Sequence, residues 1–167
     1  AARENLLLLG MDGKQIEVII NGVLPVRSCE VGEVDATRAK WGLERSHFVV
    51  GMPARLEHYK GQETVIRAAA RCKSVAPDMR FLLLGDGSQL DRYRALAQSL
   101  GAGDTVIFTG FIEDMAPYYA LMDVNVNASF GTETSSLSLS EGMSAGVPAI
   151  ASDYGGNPRM VTPGENG

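Results

Sequence analysis

Five short apolar runs, each stopped by glycine or a polar residue and separated by helix-like stripes, constrain this chain more than any other feature. The sharpest is Arg80-Phe-Leu-Leu-Leu84, ended by Gly85-Asp-Gly87; the others are His47–Met52, Thr105–Phe108, Asp123–Ala128 and Val147–Ala151. Such runs suit strands buried on both faces. Between them, Gln62–Val75 carries Val65, Ile66, Ala69, Ala70 and Cys72 at helical spacing and stops at Pro77. Leu90–Leu100 places Leu90, Tyr93, Leu96, Ala97 and Leu100 on one face and ends at Gly101, and Met115–Leu121 is a shorter helix. Strand and helix in alternation predict an α/β fold, a Rossmann-like parallel sheet with helices on both faces. Sandwiches and bundles fit this pattern badly.

Composition narrows the function classes. The 167 residues suffice for one domain with a proper core but not for two full α/β domains. Apolar residues make up 45% and charged residues 21%, which suggests neither disorder nor a membrane protein. No run approaches the roughly 20 apolar residues needed to span a bilayer, and the N-terminus lacks a secretory pattern. A net charge of −5 disfavours nucleic acid as a partner. Cys29 and Cys72 form no framework or metal spacing, so a reduced, cytoplasmic setting is expected, with Cys72 a small core residue. Ala1–Leu9 reads as the end of a helix capped by Gly10, and Ile16–Ile20 as a strand. Residues 1–22 are therefore expected to be the tail of a preceding domain or linker, 23–45 a linker segment, and 46–167 the domain proper. Its last turn, Pro163–Gly167, leads into nothing, so truncation at the C-terminus and a larger parent are expected.

In open parallel sheets, ligands bind at the carboxyl ends of the strands. Three loops there are unusual. Pro53–Gly61 carries Arg55 and Lys60, a fork of donors and a mobile point charge suited to a diphosphate; two solvated surface cations would explain them as well. His58 reads as a surface residue. Gly85-Asp-Gly-Ser88 lets backbone approach a ligand, or is simply a tight turn before a helix. Gly131–Gly146 contains Glu133 and Glu141 around a helix that begins near Ser136. Its first N–H groups form a natural anion site, and the carboxylates can accept from sugar hydroxyls. An alternative stays open for Glu141, because Ser138-Leu-Ser-Glu141 also reads as a capping box.

Other chemistries find little support. There is no phosphate-binding Gly-rich loop ending in Lys-Ser/Thr, no His-Glu-x-x-His, no Gly-x-Ser-x-Gly, and no full dinucleotide fingerprint. Two histidines, His47 and His58, and the lack of Asp-x-Asp leave no evident metal site.

Taken in order, the loops resemble the C-terminal domain of GT-B retaining glycosyltransferases of family four. The carrying motifs are Gly51-x-x-x-Arg-Leu-x-x-x-Lys-Gly61, Leu82-Leu-Leu-Gly-Asp-Gly87, Val106-x-Phe-x-Gly110, Glu133-x7-Glu141-Gly-Met-x-Ala-Gly-x-Pro148 and Ala151-Ser-Asp-x-Gly-Gly-x-Pro158. The similarity runs from about Ile16 to the last residue, and Ile16–Val23 looks like the family's interdomain linker. The resemblance implies that 46–167 is one half of a GT-B fold that binds a nucleotide-activated sugar, while an absent N-terminal domain binds the acceptor. It implies Arg55, Lys60 and the helix start at Ser136, Leu137 and Ser138 for the donor diphosphate. It implies Glu133 for the transferred sugar, Glu141 for the ribose, and Gly85, Gly87, Phe111 and Ile112 for the cleft and base pocket. Transfer with retention follows from the same resemblance, with no cofactor and no metal. The cytoplasmic location expected from the cysteines leaves room for a peripheral position at the inner membrane face through the absent domain. The isolated chain is expected to be inactive.

Three positions depart from the family pattern. Gly142 stands where Ala is usual, Ser135 and Ser136 stand where Phe-Gly is frequent, and Arg159 stands where Glu is common. Rival readings are a non-catalytic nucleotide-sugar-binding module and a nucleotide-sugar epimerase of the same architecture; a dehydrogenase is the weakest.

Overall fold

A computed structural model describes residues 2–19 and 21–167. The chain runs α1 (Ala2–Leu8), α2 (Val31–Lys40), β1 (Phe48–Pro53), α3 (Gln62–Cys72), β2 (Met79–Leu84), α4 (Leu90–Ser99), β3 (Val106–Gly110), α5 (Ala116–Leu121), β4 (Val124–Asn127), α6 (Leu137–Ser144) and β5 (Ala149–Ala151). The five strands form one sheet in the order β3-β2-β1-β4-β5, with every neighbouring pair parallel. This is the Rossmann-like sheet that the alternating pattern predicts.

The double-sided apolar runs fill two cores. Val50, Met52, Phe81 and Leu83 point to one face, where Val65, Ile66 and Ala69 of α3 and Tyr93 and Ala97 of α4 cover them. Val49, Leu82 and Leu84 point to the other, against Tyr118, Tyr119 and Leu121 of α5. Cys72 packs half-buried against the first core. Gly51 occupies the middle of β1 because a Cβ there would meet the Met122 sulfur at 2.2 Å.

Two local readings change. Ile16–Ile19 are irregular rather than a strand, and Ile20 lies outside the described residues, as does Ala1 of the first helix. A strand needs a neighbour to bond, and none pairs with this stretch among the described residues. Residues 23–45 contain α2, opened by a reciprocal capping box between Glu30 and Glu33. Val26, Val34, Trp41 and Leu43 pack into the second core, and the Arg27 guanidinium bridges Glu33 and Asp114.

The strand order decides where a ligand can sit. From β1 the chain winds outward through β2 and β3, then returns to the other side of β1 as β4. The carboxyl ends of β1 and β4 therefore flank the point where the winding reverses, the crevice in which open α/β sheets bind ligands. Gly61 makes that crevice tight. Its φ is +82°, and a Cβ would lie 2.1 Å from the Ala128 carbonyl oxygen at the end of β4. Gly61→Ala is expected to lose at least about 1–2 kcal/mol from the left-handed backbone alone. Urea unfolding should show a lower midpoint at unchanged slope.

Candidate functional site

The loop after β1 and the loop after β4 meet across the crevice. The first turns through His58–Lys60 and stops at Gly61, which starts α3. That turn projects Lys60 toward Glu133, and its Nζ donates to Glu133 Oε2 at 2.9 Å. The same oxygen accepts from Ser129 Oγ at 2.9 Å and Asn127 Nδ2 at 3.2 Å. Glu133 is only 8% exposed. Burial alone would raise its carboxyl pKa, but the three donors outweigh it and hold the group below its ordinary value. Oε1 bonds no partner among the described residues, and Lys60 uses one of its three N–H groups here.

Glycines hold the Glu133 loop in place. Gly156 N–H donates to the Glu133 carbonyl at 3.0 Å, and a Cβ on Gly155 or Gly156 would fall 1.9 Å from the carbonyl oxygen of Glu133 or Thr134, respectively. Gly131 similarly admits the Tyr59 Cβ, and Phe130 N–H donates to the Tyr59 carbonyl. The Gly155–Gly156 turn, Thr134, Ser135, Arg159 and the N-terminal segment line a cleft of about 370 Å³ beside Glu133.

Arg55 is exposed at the mouth of β1 and donates to Tyr59 OH at 2.9 Å. Lys60 Nζ lies 5.6 Å from the centroid of the Tyr59 ring, so that residue sits between the two cations. Gln62, fully buried at the start of α3, donates from Nε2 to the Arg55 carbonyl at 2.7 Å and closes the loop on itself. The two cations are thus held on one short turn. His58 is exposed, with its ring edge-on to Phe130.

Helix α6 begins as expected, with Ser136 as its N-cap. Ser136 Oγ accepts from Leu139 N–H at 3.3 Å and from Asn127 Nδ2 at 2.9 Å, and lies 3.1 Å from Ser138 Oγ. Asn127 therefore ties the buried carboxylate to the helix start. The N–H groups of Leu137 and Ser138 in the first turn have no intrahelical acceptor. Because the cap is Ser136, the capping box at Ser138 does not form, and Glu141 lies too deep in α6 to close one. Its Oε2 accepts instead from Tyr119 OH at 2.8 Å, and its Oε1 bonds no partner among the described residues.

The remaining predicted positions divide. Gly85 (φ +143°) and Gly87 would each place a Cβ within 2.5 Å of a carbonyl of residues 54–56, so they seat their loop on the one carrying Arg55. Phe111 is 78% exposed, whereas Ile112 packs against the second core, so the two do not share one surface. Sequence reasoning missed Asn127, Ser129, Gln62 and Tyr119. Only for Asn127 was there a signal, the alternation in Asp123-Val-Asn-Val-Asn127: two amides on one face of a central strand need buried partners, though the pattern does not say which. No group of three or more potential metal ligands occurs among the described residues, and no helix there is long and apolar enough to cross a membrane.

Glu133 also gives the fold a pH dependence. With the folded carboxyl below the unfolded value of 4.5, the unfolded chain binds more protons. The stabilisation is present above that value and is lost as pH falls through the folded one. Glu133→Gln should flatten this acid loss relative to wild type in urea unfolding between about pH 6 and about pH 3. Comparing the two slopes cancels the other carboxylates.

Comparison with known proteins bears on this arrangement. The family model for glycosyl transferases group 1 matches residues 33–167. EpsD of Bacillus subtilis is 37% identical over 135 residues, covering 81% of this chain and 35% of that protein. The 2-deoxystreptamine glucosyltransferase of Streptomyces kanamyceticus is 30% identical over 152 residues, covering 89% and 39%. The crystal structure of Anabaena Alr3699/HepE in complex with UDP and glucose superposes with a TM-score of 0.91 at 28% identity, covering all of this chain and 46% of that one. The chain spans less than half the length of each of these proteins.

Proposed function

The chain belongs to the glycosyl transferases group 1, and on that premise we propose that it is the donor-binding half of an enzyme that moves a sugar from a nucleoside diphosphate to an acceptor. The observation that carries this reading is the juxtaposition at the reversal point of the sheet. Two cations on the β1 loop, a buried carboxylate on the β4 loop and the start of α6 converge there. The complexes of HepE with UDP and glucose and with UDP-glucose support a nucleotide sugar as ligand.

Each group has a role suited to its surroundings. Breaking the bond between the anomeric carbon and the diphosphate oxygen builds negative charge on that oxygen. Arg55, the two unused N–H groups of Lys60 and the first N–H groups of α6 stabilise that charge before departure. These donors supply the positive charge that the leaving diphosphate needs, so we assign the reaction no metal and no cofactor. Glu133 acts as an acceptor for the transferred sugar through Oε1, because Oε2 already receives three donors. Its depressed basicity disfavours a nucleophilic role, and neither glutamate is given one. Glu141, no longer occupied by a cap, accepts from the ribose. Retention of anomeric configuration rests on the family resemblance. Acceptor binding belongs to a further domain of the parent, so this chain alone binds donor without turnover, in the cytoplasm.

Calorimetric titration with UDP, GDP and ADP tests the reading. At least one should bind, and Arg55→Ala and Lys60→Ala should each weaken it about ten- to a hundredfold, as loss of a charged hydrogen bond would. Arg55 is exposed, so its variant should keep wild-type thermal stability. Binding of none of the three, or wild-type affinity in both variants, would rule the site out.

A further inference from the structure

Tyr119 is a buried titratable group that the donor chemistry leaves unused. It lies on α5, not on a site loop, and is 1% exposed, with its ring in the second core. Its hydroxyl crosses to α6, donating to Glu141 Oε2 at 2.8 Å and lying 3.3 Å from the Ser138 carbonyl. A phenylalanine would fill the same apolar space, and a buried hydroxyl is tolerated only with a partner. The side-chain acceptor it has found is one of the two oxygens of Glu141.

We infer that Tyr119 is a positioning residue for the nucleotide end of the site, holding Glu141 Oε2 so that Oε1 is presented to the hydroxyls of a ribose. The inference rests on the reading of Glu141 given above. A free glutamate loses rotamer freedom when it binds a ligand. One already held by a rigid phenol does not incur that loss at the moment of binding. Tyr119 can serve in this way because it stays protonated. Burial and the neighbouring Glu141 charge raise its titration beyond the ordinary tyrosine range. The helix that carries Glu141 is anchored from the same side. Asn125 Nδ2 donates to the Ser138 carbonyl at 2.8 Å, beneath Gly142.

The test compares UDP with inorganic pyrophosphate, which shares the diphosphate but lacks the ribose, by calorimetry on this chain. Tyr119→Phe keeps the ring and should weaken UDP about three- to tenfold, a fraction of a full charged hydrogen bond, with pyrophosphate affinity unchanged. Glu141→Gln can still accept from Tyr119 through its amide oxygen but turns an NH2 toward the ribose, so it should lose UDP affinity at least as strongly. A purely structural Tyr119 would lower the melting temperature and leave the ratio of UDP to pyrophosphate affinity unchanged, overturning the inference. Should Tyr119→Phe not fold, Glu141→Asp serves in its place, since its shorter carboxylate keeps the charge but withdraws from the phenol. A wild-type ratio in Glu141→Asp would also overturn it. If Glu141→Gln itself keeps the wild-type ratio, the ribose assignment fails, and the inference with it. If only Tyr119→Phe keeps the ratio, the ribose assignment stands and the positioning role alone falls.

Discussion

The Lys60–Glu133 ion pair is the contact on which the geometry of the crevice depends. The two residues are 73 positions apart, and each sits on a loop leaving a different central strand. They meet because β4 returns to pair with β1 through Val50–Val124 and Gly51–Asn125, on the side opposite β2. Had β4 extended the sheet beyond β3, the two loops would lie on opposite sides of two intervening strands. A buried pair of this kind seldom adds net stability, because removing both charges from water offsets most of their attraction. Breaking it by deleting one partner typically costs about 3–5 kcal/mol. The pair therefore acts on shape more than on stability: it penalises arrangements in which the loops part.

The hydrogen bonds around the pair extend that constraint into the helix. Asn127 donates from one amide nitrogen to both Glu133 and Ser136, so the carboxylate and the N-cap of α6 share a donor. Displacing Glu133 would disturb the cap, and a shifted cap would re-aim the first N–H groups of α6. The carboxylate, cation and helix start are thus one connected unit. Tyr119 and Asn125 brace the same helix from the second core and the sheet. Such a preorganised arrangement suits charge that develops during bond breaking, where donors already in place need no reorganisation.

What could be read from the sequence follows from range. The central strands and α3 to α5 stand close to where periodicity places them, because their apolar stripes are local patterns. Helix α2 escaped notice because Val31–Lys40 has no broad stripe. Its support comes from Trp41, Leu43 and the Arg27–Asp114 contact, which only the fold brings together. Ile16–Ile19 failed for the opposite reason, as an apolar stretch that finds no strand to pair with among the described residues. In the site, Arg55, Lys60, Glu133 and the start of α6 could be placed from loop position. The identity of the residues beneath them could not, since nothing local marks Asn127 or Tyr119 as partners of glutamates elsewhere in the chain. Glu141 shows the limit most clearly. Ser138-Leu-Ser-Glu141 is a valid capping pattern, and it loses only because Ser136, already bonded to Asn127, starts the helix two residues earlier.

Gly142 shows how a residue that looks like a local defect is explained by its neighbour. A glycine inside a helix costs about 0.8–1 kcal/mol relative to alanine, and α6 is only eight residues long. Yet a Cβ at this position would come within 2.4 Å of Asn125 Nδ2, whose amide donates to the Ser138 carbonyl. An alanine would have to displace that amide, and the buried nitrogen would then lose its acceptor, at about 1–3 kcal/mol. The second penalty equals or exceeds the first, so with Asn125 beneath it glycine is the better residue here. Helix propensity yields to the hydrogen bond that fixes α6, and with it Glu141, against the sheet.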